Sequence, residues 1–162
     1  MKDILFRMED GVFSYRVAGV CVVNNRVLLQ TTTGEDKSFA FPGGHVAFGE
    51  TNAETLRREF REEIGADISV GDLCWVAEIF FPWGNKPCHQ ICLYYKVELA
   101  DSELLRKEVF LGEEHLEGRN FNLEFRWIPI EKTGEIEVYP VQAPQLLKKL
   151  DEGVQHFVYR EE

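Results

Sequence analysis

The stretch from residue 51 to residue 65 constrains this chain more than any other. Thr51 followed by Glu54 forms a capping box, in which a hydroxyl and a carboxylate satisfy the backbone N–H groups that a helix start leaves free. Ala53, Leu56, Phe60 and Ile64 make an apolar stripe at helical spacing. Gly65 accepts the left-handed backbone that commonly ends a helix. The spacing predicts a helix over 51–64. At about 100° per residue, Glu62 and Glu63 stand within roughly 60° on either side of Glu59. Three like charges on one narrow face repel and would weaken an isolated helix. The apolar stripe lies about 90° around from them, so one side can be buried while the acids line a cleft. Two readings of that face are open: a solvated acidic surface neutralised by Arg57, Arg58 and Arg61, or a grip for a divalent cation that prefers hard oxygen ligands.

The rest of the chain fills in a mixed architecture. Two runs rich in β-branched and aromatic residues, 12–23 and 26–32, flank Asn24-Asn25 and predict a hairpin, because Asn tolerates the positive φ of a two-residue turn. A polar loop follows at 33–36, then a short strand at 39–41 ending at Pro42, Gly43 and Gly44. Strands are expected at 72–81 and 90–99 around a turn at 81–85, and a last clear strand at 125–130. Residues 100–121 read as charged and irregular. A short helix suits 144–150, with Leu146, Leu147 and Leu150 on one side. This alternation predicts an α/β class in which a mixed β-sheet is covered by helices on its faces.

Composition narrows the function. The 162 residues suit one domain, 1–162, and the 44% apolar content can supply its core. With 18 Lys and Arg against 28 Asp and Glu, 18 − 28 leaves a net charge of −10. A duplex nucleic acid partner is not expected, since like charge repels the phosphate backbone. No apolar run approaches the roughly 20 residues of a membrane span, so no membrane partner is expected. The opening MKDILFRMEDG lacks the apolar core of a secretory signal, which predicts a cytoplasmic protein. Cys21, Cys74, Cys88 and Cys92 form no C-x-x-C pair and show no zinc spacing with His89, so they read as reduced, partly buried thiols.

The sequence upstream decides between the two readings of the acidic face. Gly44 is followed by five residues and Glu50, and seven residues later come Arg58, Glu59, Phe60, any residue, Glu62, Glu63, any residue and Gly65. The segment GHVAFGETNAETLRREFREEIGA resembles the signature of the Nudix hydrolases (MutT-like) at every fixed letter. Its last position, usually a larger aliphatic, is Ala66. Seven fixed letters at about one in fifteen each recur by chance roughly once in 10⁸ windows. Phe41-Pro42-Gly43-Gly44, the early hairpin and the later Trp127-Ile128-Pro129 occur in like order in that family, so the resemblance spans roughly residues 12–150.

The resemblance implies a Nudix-type α/β/α sandwich with a loop–helix–loop catalytic motif. It further implies a pyrophosphohydrolase that uses Mg²⁺ or Mn²⁺ and water on a nucleoside diphosphate linked to another moiety, a small nucleotide or nucleotide-sugar type substrate. Glu59, Glu62 and Glu63 would be the metal-binding carboxylates, with the Gly44 carbonyl as a further ligand. Arg58 would hold a box acid in place, and Glu50 would bond within the loop or reach the metals through water. The general base would be a box acid such as Glu59 or an acid of the 100–121 segment, which holds Glu113, Glu114 and Glu117. Candidate substrate contacts are Arg16 for a phosphate, Trp83 for stacking on a base, Glu50 and Glu114. Dimers are common in the family, so a homodimer is compatible. Two alternatives share the motif: a non-hydrolytic nucleotide-sensing Nudix module, and an RNA 5′-end pyrophosphohydrolase, which would need a basic track that this charge does not suggest.

Overall fold

The computed structural model describes residues 2–32, 37–116 and 118–162. The predicted polar loop at 33–36 and the candidate acid Glu117 lie outside the described residues. The chain opens with strands β1 (Leu5–Arg7), β2 (Val12–Val20), β3 (Val22–Val23), β4 (Arg26–Thr32), β5 (Phe39–Ala40) and β6 (Gly43–His45). Helix α1 (Asn52–Ile64) follows, then the long strands β7 (Ile68–Trp83) and β8 (Lys86–Leu99). Next come α2 (Ser102–Arg106), β9 (Val109–Leu116), β10 (Arg119–Pro129) and a 3₁₀ turn. The chain finishes with β11 (Val138–Tyr139), α3 (Ala143–Leu147) and β12 (Gln155–Arg160).

These strands form two mixed sheets. One runs β1-β2-β8-β7-β12, with β6 also paired to β2; the other runs β11-β5-β4-β10-β9, with β3 paired to β4. The α/β reading therefore holds, with the expected sheet divided in two. Asn24 and Asn25 take φ of 52° and 60°, as the predicted turn requires. Only β3 returns on β4, however, pairing Val22 with Val27. Beyond Cys21 the first run leaves the hairpin, because β2 pairs in parallel with β8 and belongs to the other sheet.

Four further differences bear on the site. Gly43-Gly44-His45 is a strand antiparallel to β2, with Gly44 opposite Val17 and His45 opposite Arg16. Strand β7 continues through Pro82 and Trp83, so the expected turn at 81–85 shrinks to Gly84-Asn85, where Gly84 has φ 63°. Residues 100–121 are not irregular: they hold α2 and the β9–β10 hairpin, in register from Val109 opposite Arg126 to Leu116 opposite Arg119. Burial alternates along β9 on either side of Phe110, and tertiary pairing outweighs the weak strand propensity of the acids. Strands β1 and β12 are additional, at the two edges of the first sheet.

The predicted helix forms as expected. Thr51 Oγ1 accepts from the Glu54 N–H at 3.2 Å, the Thr51 N–H donates to Glu54 Oε2 at 2.8 Å, and Gly65 is left-handed at φ 65°. Leu56 and Phe60 are buried with Val17, Leu28 and Trp127 in one core cluster. Trp127 Nε1 also donates to the Leu104 carbonyl at 3.0 Å. A second cluster gathers Leu29, Phe41, Trp75, Tyr94 and Phe157, with Leu146 and Leu147 of α3. The two helices thus cover different apolar clusters. Among the described residues, no helix is long and apolar enough to cross a membrane.

Candidate active site

The loop before α1 is locked by one carboxylate. Glu50 Oε1 accepts from the Ala47 N–H at 3.2 Å and Thr55 Oγ1 at 3.0 Å. Arg58 closes a two-point pair on it, Nε to Oε2 at 2.8 Å and Nη2 to Oε1 at 2.9 Å. Such fork geometry is among the stronger hydrogen-bonded ion pairs. The Arg58 bonds hold the Glu50 carboxyl below the usual range, and Glu50 in turn raises the Arg58 pKa. Both Glu50 oxygens are thereby committed to the loop and the helix.

The same guanidinium reaches the acidic face. Arg58 Nη1 donates to Glu59 Oε1 at 2.9 Å and more weakly to Glu62 Oε2 at 3.4 Å, while Nη2 donates to the His45 carbonyl at 3.2 Å. Of the other two arginines, Arg61 turns away to Asp67 and Arg57 is exposed. The neutralised-surface reading thus has one arginine to work with, and it does not reach Glu63. Gly44 lies against Glu59: a Cβ there would fall on the Glu59 carboxylate. Glycine is required at this position by a neighbour rather than by backbone freedom.

Glu63 is the exceptional residue. It is 5% exposed, and its Oε1 is buried with no hydrogen-bond partner. Burial pushes its carboxyl well above the usual range, the charges of Glu59 and Glu114 push it further, and Arg16 pulls back. Burial likewise raises Glu59, against the pull of Arg58. Among the described residues Glu63 has no ion pair, and a buried carboxylate in that position is costly unless it holds a proton or faces a cation. Glu62, with a side chain 46% exposed, sits at the rim.

Two residues distant in sequence complete this surface. Arg16, opposite His45 on β2, is half-buried, and its Nε is buried without a partner. Burial opposes its charge, yet Glu114 and Glu63 are among the neighbours that outweigh burial and raise its pKa. Glu114, half-buried on β9, is the acid of the 100–121 segment whose charge acts on both Glu63 and Arg16. Its approach is set by Gly112: a Cβ there would meet the Glu63 carbonyl and the Phe125 ring. Trp83 is a half-buried strand residue with its ring 6.2 Å from His45 and Arg7 stacked 5.5 Å above it. It does not line the cavity beside Arg16.

That cavity, about 220 Å³, lies between the sheets, with Arg16, Gln90, Phe41, Phe81, Tyr139 and Tyr159 on its walls. Sequence reasoning missed Gln90, together with its buried partner Ser14 and His45 behind Ser14. No local motif marks them. The available signal was strand alternation, which puts Ser14, Arg16, Gln90 and Cys92 on one sheet face once the pairing is known.

Among the described residues, no three His, Cys, Asp or Glu side chains already converge as a metal cage. The donor set nonetheless fits a hard divalent cation. It offers acid oxygens, a partnerless buried Oε1 on Glu63 and a glycine backbone pressed against Glu59.

A split mixed sheet, a capped helix with an acidic face, and a loop held by a Glu–Arg fork are the features by which this α/β domain is classed. A model of the NUDIX domain matches residues 14–150, and the chain belongs to the Nudix hydrolase family. Among solved structures it is similar to a UDP-X diphosphatase, at 18% identity and TM-score 0.59, over 95% of this chain and 69% of that one. It is also similar to an ADP-ribose pyrophosphatase from Streptococcus suis 89-1591, at 10% identity and TM-score 0.58, over 91% and 98%. A MutT protein from Methanosarcina mazei Go1 matches at 20% identity and TM-score 0.54, over 90% and 97%. At these identities the likeness concerns the fold.

Proposed function

We propose that this chain, a single domain over 1–162, is a metal-dependent pyrophosphohydrolase. It cleaves the diphosphate linkage of a nucleoside diphosphate joined to another moiety, a small nucleotide or nucleotide-sugar type substrate. The observation that carries the reading is Glu63: a buried carboxylate with a partnerless oxygen, set among Glu59, Glu114 and Arg16.

Glu59, Glu62 and Glu63, with the Gly44 carbonyl, would hold Mg²⁺ or Mn²⁺. When bound, the ion supplies neutralisation of diphosphate charge and acidification of an attacking water. Arg58 positions Glu59 and the His45 backbone through its hydrogen bonds, and Glu50 fixes Arg58. Arg16 is placed to bind a phosphate oxygen of the substrate, its Nε being buried and partnerless. Glu114, which faces Glu63 and Arg16 from β9, is the better candidate of the two strand acids to take the water's proton, because its charge is coupled to the site. Cytoplasmic placement accords with the sequence.

A panel of nucleoside diphosphate derivatives with Mg²⁺ or Mn²⁺, scored by phosphate release, tests the reading. Glu63→Gln is expected to lose activity by orders of magnitude; equal release by the variant would refute the assigned role. Tight nucleotide binding with no turnover over hours would favour the sensing module instead. Faster cleavage of triphosphorylated RNA than of free nucleotides would favour the RNA-end enzyme.

A further inference from the structure

The cavity beside Arg16 contains a polar group whose orientation is dictated from behind. Ser14 and Gln90 are register partners on the parallel strands β2 and β8, and both are buried, at 0% and 7% exposure. Ser14 Oγ donates to Gln90 Oε1 at 3.0 Å. On its other side Ser14 Oγ lies 3.0 Å from His45 Nε2. A serine hydroxyl has one proton. Having given it to Gln90, Ser14 can only accept from His45, which therefore carries its proton on Nε2. The chain of bonds runs from His45 to Ser14 to Gln90 and ends on the Gln90 carbonyl oxygen. The other half of that planar carboxamide, the amino group, has no protein acceptor among the described residues, and Gln90 lines the cavity.

That amino group is not sealed among protein atoms and is left to donate into the cavity. The cavity, about 220 Å³, is below the ~300–1,000 Å³ of a site for a whole drug-sized ligand. It fits one ring system, and Phe41, Phe81, Tyr139 and Tyr159 offer aromatic surfaces to it. Arg16, opposite Cys92, stands two residues along from Gln90, about 6.6 Å at strand rise, so the phosphate end and the ring end are distinct.

We propose that Gln90 is the specificity-determining contact of this site, donating its amide hydrogens to the exocyclic carbonyl oxygen of an oxo-bearing nucleobase, with Ser14 and His45 as positioning residues. The proposal rests on the hydrolase reading for the identity of the site, but its own content is the choice of base. Uracil and guanine present such an oxygen. Adenine presents an amino group there, a donor set against the donating amino group of Gln90, whose carbonyl end is turned back towards Ser14. Sites that hydrogen-bond a substrate group discriminate strongly against analogues lacking it.

The test is calorimetric binding of UMP, GMP and AMP in Mg²⁺ buffer, alongside kcat/KM for UDP-, GDP- and ADP-linked substrates sharing one second moiety. The wild type is expected to bind UMP or GMP at least about tenfold more tightly than AMP, and the two arms show which oxo base the cavity admits. Gln90→Leu brings that ratio to about one. Ser14→Ala frees the carboxamide to turn and lowers the ratio, which a merely structural role for Ser14 would not do. Should Gln90→Leu fail to fold, the near-isosteric Gln90→Glu replaces the donor with an acceptor and shifts the ratio towards AMP. Equal binding of the three nucleotides by the wild type, or a ratio unchanged in Gln90→Leu, overturns the proposal. Cleavage of diphosphates with no base preference sinks this inference and leaves the hydrolase reading standing. Base preference in binding without cleavage does the reverse.

Discussion

Glu63→Gln separates a site built to hold a cation from a helix that happens to be acidic, because the two make opposite predictions for stability. In wild type Glu63 is 5% exposed, and burial, Glu59 and Glu114 together outweigh Arg16 and raise its pKa. The sign follows by linkage. The folded protein holds this proton more tightly than the unfolded chain, so stability falls as pH rises from the unfolded value through the folded one. At pH 8, without metal, the charged carboxylate is a burden that Gln does not carry. At about 5 Å and an effective dielectric near 20, one like-charge pair costs about 3 kcal/mol. Glu59 and Glu114 contribute two such pairs, Arg16 offsets about one, and Arg58 damps Glu59. The net gain on substitution is about 2–3 kcal/mol, or roughly 5–10 °C in melting temperature at this chain length.

The assay is thermal unfolding with chelator and with Mn²⁺, next to phosphate release. Without metal the variant is expected to melt above wild type, by more at pH 8 than at pH 5. Mn²⁺ at about a hundred times its Kd stabilises wild type by about 2.7 kcal/mol and leaves the variant almost unmoved. A variant that melts below wild type without metal, yet retains the Mn²⁺ shift and the activity, would refute the electrostatic reasoning.

Three other outcomes are expected. Gly112→Ala puts a methyl against the Glu63 carbonyl and the Phe125 ring, so it should cost about 1–3 kcal/mol and lower kcat by moving β9 from the helix, read by denaturant unfolding and kinetics. Glu114→Gln should lower kcat by about 10²-fold or more with little change in melting temperature, as for loss of a proton acceptor; an unchanged kcat would remove it from the chemistry. Burial raises the thiols of Cys21 and Cys92 to about 11 and of Cys74 to about 12, and Cys88 is buried too. A disulfide reagent at pH 8 should therefore label almost no thiol in the native protein and all four once it is unfolded.

What the sequence made legible was what the chain determines locally. The capping box at Thr51, the stripe through Leu56 and Phe60, the stop at Gly65 and the Asn24-Asn25 turn each depend on residues within one or two turns of each other. The acid face is legible for the same reason: helical periodicity alone brings Glu59, Glu62 and Glu63 together. Pairing partners are not local, and there the reading weakened. Nothing near Val20 announces that β2 departs for the other sheet, or that 100–121 forms a hairpin carrying Glu114 to the helix. Gln90 was invisible because a glutamine inside an apolar strand has no meaning until Ser14 is known to sit beside it.

The two modes of assembly divide the labour within the site. The acids and their arginine come from one loop and one helix, so their mutual geometry survives changes elsewhere in the fold. The groups that face them come from other strands: Arg16 from β2, Glu114 from β9, and Gln90 from β8 behind Ser14. A strand residue alters its direction with register and twist, and can be replaced without disturbing the helix cap or the Glu50–Arg58 fork. The cation grip is therefore the part a short motif can specify. The choice of what is attached to the diphosphate falls to strand positions whose neighbours are dozens of residues away, such as Ser14 and Gln90 at a sequence separation of 76. Substrate range in this chain should respond to substitution of Gln90 on β8 and of Ser14 behind it, with the response to metal left intact.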